Sequence, residues 1–272
     1  KVSAIAHHHR KNISSLINTM TSAENSYFID DLPKGSSADY APGLQPPALR
    51  PEEEMMRRWG GATEPVVTIH CATYQHDIFI ADALRGFLGQ QTTFPFLIIV
   101  RDDASTDSTR HIINAFAQRY PRLIYPIFET KNTWSEGIRP SHVFRNFLEG
   151  EFVATCEGDD YWISPQKLQW QVDLLRQNPS IQIACCRAYV IREHDSTPHD
   201  VVPRVTPEAF TSDSIMLGGQ WPKTLTRVAR RSWLDRYYKE VPDKARVDST
   251  FVRHAICSAT PGTNPFGFIG EA

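Results

Sequence analysis

A chain of 272 residues, 41% hydrophobic and 11% aromatic, carries enough apolar surface for one large or two small folded domains, which excludes a fibrous or wholly disordered protein. Twenty-nine basic against thirty-one acidic residues give a formal charge of −2, so composition shows no general bias towards nucleic acid or an anionic surface. No run approaches the roughly 18 to 20 apolar residues that cross a bilayer, and the first residues lack an apolar secretory stretch, so a cytoplasmic protein is expected.

Residues 1–20 offer one short helix candidate, and the histidines at 7, 8 and 9 define no site. From Ser22 to Pro51 the chain is crowded with Pro, Gly and Ser, a composition that extends the backbone rather than packing it. PEEEMMRRWG, residues 51–60, reads as a brief helix with proline near its start and glycine beyond its end. Residues 1–60 are therefore expected to form an N-terminal arm and linker, ahead of one domain over 61–272.

From Pro65 the pattern becomes regular. VVTIHC (66–71) reads as a strand, and 77–89 as a helix with Ile80, Leu84 and Phe87 on one face. FLIIV (96–100) is apolar at every position, as in a strand whose two faces are both covered. The spacing then predicts a helix over 107–120, a strand over 122–128 with Pro126 marking an edge, a short helix around His142 to Leu148, and a strand over 152–156. Ser164 and Pro165 supply an N-cap and a first-turn proline for a helix faced by Leu168, Val172 and Leu175, and 181–191 reads as one further strand. This alternation predicts an α/β protein with an open, mostly parallel sheet between helices. Five cysteines, an odd number with no CxxC pair, read as small core residues of a reducing compartment.

Polar clusters fall where the strands end: Thr73 to His76, Asp102 with Asp103, and Glu157 to Asp160. Ligands of open α/β sheets gather at that edge. RDDASTDSTR (101–110) also reads as a capped helix start, with Ser105 or Thr106 as cap, but capping leaves Asp102 and Asp103 unexplained. EGDD (157–160) reads either as a solvated turn or as hard oxygen ligands for Mg2+ or Mn2+. Tyr161 and Trp162 read either as core aromatics or as a platform beside a sugar.

CATYQHDIFIADALRGFLGQQ, FLIIVRDDASTDST and GEFVATCEGDDYWISPQKLQWQVDLLRQNP, in that order, resemble the inverting glycosyltransferases of family 2, whose nucleotide-sugar domain has the GT-A fold. The likeness spans about residues 65–257. It implies a Rossmann-like nucleotide-binding half joined to an acceptor-binding half, with Thr73 and Tyr74 lining the nucleoside pocket, Asp103 reading the base and Asp102 nearby. It implies Asp160 as the direct metal ligand, Asp159 as a sugar or metal contact, and Glu157 in the first metal position. Lys223, Arg227 and Trp162 are implied contacts of the diphosphate or acceptor, and Asp248, on the predicted helix ARVDSTFVRHA, is the implied catalytic base. The cofactor is then Mn2+ or Mg2+, and the donor a nucleoside-diphosphate sugar, with a UDP-sugar favoured. The acceptor is a saccharide or lipid-linked saccharide, compatible with peripheral association at the inner face of a membrane, with further domains of a longer chain, or with a homo-oligomer. This chain departs from the family pattern at Cys71, Ala72, Gln75 and Ala104.

Two other classes fit parts of the pattern. A sugar nucleotidyltransferase shares the sheet and acidic site, but calls for a Gly-rich basic loop that CATYQHD lacks. A non-catalytic carbohydrate-binding or scaffold domain explains the arm but not the run of carboxylates.

Overall fold

The computed structural model describes residues 35–39, 43–191, 197–204, 211–213, 215, 222–242, 251, 255, 259 and 264–269. Four parallel strands lie side by side in one half of the sheet: β1 (Val67–Thr73), β2 (Phe96–Asp102), β3 (Ile124–Phe128) and β4 (Phe152–Glu157). The sheet continues through β8 (Val228–Arg230), antiparallel to both its neighbours, to β5 (Ile183–Cys186) and β9 (Phe266–Ile269). The complete order is β3-β2-β1-β4-β8-β5-β9. A two-stranded antiparallel pair, β6 (Ala188–Val190) with β7 (Asp200–Val202), stands apart.

The helices are α1 (Glu52–Arg58), α2 (Ile80–Leu88), α3 (Thr109–Arg119), α4 (Pro140–Phe144), α5 (Lys167–Gln177) and α6 (Arg231–Glu240). Strand β2 is buried at every position because its alternate residues enter two different clusters. Phe96, Ile98 and Val100 join Ile80, Leu84 and Phe87 of α2, while Leu97 and Ile99 meet Phe144 of α4 on the other face. Each such side chain, fully buried, is worth about 1.5–3 kcal/mol. On that second face His70 stacks on Phe144 at 4.4 Å, and burial lowers its pKa from 6.5 to about 4, so it is a neutral core residue. Pro126 lies in β3, the edge strand, where a missing N–H costs least.

Three local expectations are corrected. The run 181–191 is two strands in two sheets, because the chain leaves the main sheet at Arg187, a cationic residue that lines a cavity. Ser164 is not a cap: α5 begins at Lys167 without a side-chain cap, and the Ser164 carbonyl accepts from Gln90. Nor do Ser105 or Thr106 cap α3, whose first residue, Thr109, donates its N–H to Asp107 Oδ1 at 3.0 Å. Cys71, Cys156, Cys185 and Cys186 are buried free thiols, as expected of small core residues.

Among the described residues of 22–50, the regular element is a short 3-10 turn, Ser36–Asp39. Further on, Met55 of α1 and Trp59 just after it enter the central core, where Trp59 packs edge-on against Phe96 and donates to Thr92 Oγ1. Among the described residues no helix is long and apolar enough to cross a membrane.

Candidate active site

Strands β1, β2 and β4 end side by side, with Thr73 opposite Asp102 and Ala72 opposite Glu157. Two backbone bonds carry the alignment past the strand ends: Asp103 N–H donates to Thr73 O at 3.0 Å, and Gly158 N–H to Ala72 O at 2.8 Å. Three polar clusters separated in sequence thereby share one edge of the sheet.

The loops after β1 and β2 are locked together by Gln75. Its N–H donates to Ser105 Oγ, its carbonyl Oε1 accepts the N–H groups of Thr106 and Asp107, and its Nε2 donates to Thr106 Oγ1. Gln75 and Ala104 both take positive φ, 56° and 65°, a region unfavourable to side chains with a Cβ. The interlocking bonds overcome that strain, so Gln75 and Ala104 keep the loop form that asparagine and glycine would adopt more easily.

The two aspartates differ in what they hold. Asp103 Oδ1 accepts from Arg101, from Thr133 N–H and from Thr133 Oγ1, while its Oδ2 accepts Trp134 N–H at 2.9 Å. Burial alone would raise its pKa; these bonds and the Arg101 charge outweigh burial and hold it below the usual carboxylate range. Asp102 is fully buried, accepts Ser105 N–H and Arg110 Nε on Oδ2, and leaves Oδ1 without a partner. Asp103, expected to read the base, thus has both carboxylate oxygens engaged in hydrogen bonds within this chain. Among the described residues, the buried polar atoms without a partner at this edge include Asp102 Oδ1, Thr73 Oγ1 and His76 Nδ1. Tyr74, beside them in sequence, is 44% exposed.

On the other side of Thr73, oxygens of Glu157, Asp159 and Asp160 all lie within 4.8 Å of one another. Burial, then repulsion from Asp159 and Glu157, pushes Asp160 up to about 7, with Lys223 acting in the opposite direction. Such crowded carboxylates, one half-buried and two exposed, form an all-oxygen donor set suited to a hard divalent cation. Glu157, expected in the first metal position, takes part in this cluster. His76 comes next, its Nε2 at 3.9 Å from Asp159 Oδ2.

Other expected residues are sorted by burial. Trp162 is 2% exposed, donates Nε1–H to Leu225 O and lies under the Lys167 amine, so it supports the site from the core and offers no open face for stacking. Arg227 is 4% exposed and is spent on the carbonyls of Pro222 and Lys223, so it does not present its guanidinium to a diphosphate. Arg230 likewise donates to the carbonyls of Ile181 and Asn178. Lys223 is exposed and is the cation felt by Asp160. Asp248 lies outside the described residues.

A cavity of about 800 Å3 opens from Asp159 and Asp160. Sequence reasoning missed two of its wall residues, Trp170 and Tyr189, which are 43% and 51% exposed. Their signal was an aromatic ring away from the apolar face of α5 and another just beyond Arg187, each ordinary when taken alone.

Known proteins resemble this chain in sequence and in fold. An uncharacterised protein of Mycobacterium tuberculosis is 34% identical over 195 residues, covering 70% of this chain and 54% of that protein. A putative teichuronic acid biosynthesis glycosyltransferase of Bacillus subtilis is 26% identical over 56% of this chain and 58% of its own length. The chain spans about half the length of the curated relatives it matches. Among solved structures, S. aureus TarS in complex with UDP-GlcNAc superposes with a TM-score of 0.55 at 21% identity, over 75% of this chain and 55% of that one. A Pyrobaculum calidifontis mannosyltransferase in complex with GDP-Man and Mn2+ gives a TM-score of 0.51 at 19% identity, over 79% and 62%. These likenesses establish the expected GT-A fold. Residues 68–238, more than half of the sequence, match the family described as glycosyl transferase family 2, and the chain belongs to that family.

Proposed function

We propose that this chain is the donor-binding and transfer domain of an inverting glycosyltransferase that moves a sugar from a nucleoside diphosphate, UDP by preference, to a saccharide hydroxyl of an envelope polysaccharide. One observation carries the reading: the Glu157, Asp159 and Asp160 oxygens cluster, with Asp159 and Asp160 lining the cavity, on the edge that also holds unpartnered Thr73 Oγ1 and Asp102 Oδ1. The names of the teichuronic acid relative and of the UDP-GlcNAc and GDP-Man complexes support the donor class and the polysaccharide setting.

In this reading Thr73, Tyr74 and the Asp102–Asp103 turn receive the nucleoside. Asp160 and Glu157 hold Mn2+ or Mg2+, with Asp159 directed to the cation or the sugar. A bound cation neutralises charge gathering on the departing diphosphate. Lys223, exposed near Asp160, adds positive charge on the same side. The acceptor proton goes to a carboxylate, assigned by family resemblance to Asp248, and base catalysis of this kind is worth about 10² to 10⁴ in rate. The division into an arm over 1–60 and a transfer domain over 61–272 belongs to the same reading.

Calorimetric titration with UDP and GDP, with and without Mn2+, tests it directly. Metal-dependent UDP binding, lost in Asp160→Asn and retained in Asp248→Asn, is the expected result. A chain that binds neither nucleotide under either condition is not a nucleotide-sugar transferase.

A further inference from the structure

The cavity beside Asp159 and Asp160 has one wall that the family segment does not supply. Ser36, Gly43 and Leu44 line it, and all three precede residue 68, where the family match begins. Specific bonds seat this stretch. Ser36 N–H donates to Ile78 O at 2.9 Å, Ser37 N–H to Asp82 Oδ2 at 2.9 Å, and the Leu44 carbonyl accepts the Tyr161 hydroxyl at 2.7 Å. Gly35 approaches the start of α2 so closely that a Cβ would stand 2.1 Å from the Asp82 carboxyl carbon, which leaves room for glycine alone. The arm is thus tied both to α2 and to the residue that directly follows the carboxylate cluster.

Trp170 of α5 and Tyr189 of β6 add two large rings that remain open to solvent although they line the same cavity. A pyranose ring offers an apolar C–H face rimmed by hydroxyls. Open aromatic rings suit the face, and neighbouring polar groups such as Ser36 and Ser164 suit the rim.

We propose that Ser36, Gly43 and Leu44 form, together with Trp170 and Tyr189, the pocket that holds the acceptor saccharide, and that this arm sets which saccharide is accepted. The inference rests on the glycosyl-transfer reading above. It adds an element outside the family segment as a determinant of acceptor choice.

The test is saturation-transfer NMR in the presence of UDP and Mn2+, with a panel of soluble trisaccharides from the gluco, manno, galacto and N-acetylated series. At least one trisaccharide is expected to bind the parent chain. Trp170→Ala, Tyr189→Ala, Gly35→Val and Leu44→Glu are each expected to weaken it at least fivefold, with UDP affinity held within twofold. Leu44→Glu alters the wall without touching the Leu44 carbonyl, so it stands in if Gly35→Val fails to fold. A parent that binds UDP but no trisaccharide, or trisaccharide binding that the arm variants leave unchanged, overturns the proposal. A parent that binds no UDP rejects the transfer reading, and this proposal falls with it.

Discussion

Gly158 presses against Thr73 so closely that a Cβ on the glycine would stand 2.6 Å from Thr73 Oγ1 and 2.7 Å from Thr73 Cβ. This approach joins the end of β1 to the carboxylate cluster. The EGDD turn can lie at the end of β1 only because position 158 has no side chain.

Gly158→Ala is therefore expected to push the turn away from β1 and to separate the two halves of the site. UDP affinity in Mn2+ should fall at least tenfold by calorimetry. Overpacking of this kind costs about 1–3 kcal/mol, which urea unfolding would register as a lower midpoint with an unchanged slope. Wild-type nucleotide binding in Gly158→Ala would show that the close contact is not needed for the site.

The carboxylate cluster makes a prediction about metal and stability together. Asp160 is held in repulsion by Asp159 and Glu157, so Asp160→Asn should leave the metal-free melting temperature unchanged or raise it. In the parent chain, Mn2+ at a hundredfold its Kd should stabilise by about 2.7 kcal/mol, a gain that the variant loses. Differential scanning calorimetry with and without Mn2+ reads both effects. A parent melting temperature indifferent to Mn2+ would leave the cluster as a solvated acidic turn.

Much of this arrangement is legible in the sequence, and the illegible part has a physical cause. An apolar residue at every position of 96–100, in a run too short for a helix, marks β2 as a strand covered on both faces. The ordered motifs likewise place Asp102, Asp103 and Glu157 at strand ends. The division of labour between Asp102 and Asp103 cannot be read locally, since it depends on Thr133 and Trp134, some thirty residues further on. Trp162 is similar: its burial depends on Leu225 and Lys167, and only the folded chain brings Leu225 to it. The arm's place in the cavity wall is invisible for the same reason, because its composition predicts extension but not where the extended chain lies.

His70 gives a pH signature independent of the site. Its pKa falls from 6.5 to about 4 through burial, which the bond to the Phe147 carbonyl only partly opposes. A depressed folded pKa means that the unfolded chain binds the extra proton first. The stability it contributes is present above pH 6.5 and is lost as pH falls towards 4. The full loss is about 3 kcal/mol. His70→Phe, which keeps a ring against Phe144, should flatten the difference in unfolding free energy between pH 7 and pH 4.5. Equal acid sensitivity in parent and variant would show that this histidine is not held neutral.

The last prediction separates a structural aspartate from an open nucleoside contact. Asp103 takes hydrogen bonds from Arg101, Thr133 and Trp134, and Arg101 is 1% exposed with Glu129 as its other carboxylate partner. Asp103→Ala removes the acceptor for all of these donors and leaves a buried guanidinium short of charge. Breaking a buried pair in this way costs about 3–5 kcal/mol. The Thr133–Trp134 segment should also detach, so UDP binding is expected to fall as a consequence of lost structure. Tyr74, on the same sheet edge, is 44% exposed, and Tyr74→Ala should change stability by about 0.5 kcal/mol or less. Its UDP affinity should nevertheless drop about tenfold, the order of a lost aromatic contact. Paired urea unfolding and UDP titration on the two variants distinguish these outcomes. If Asp103→Ala keeps parental stability and loses only UDP affinity, Asp103 reads the nucleotide directly, and the bonds it makes within the chain are incidental to its role.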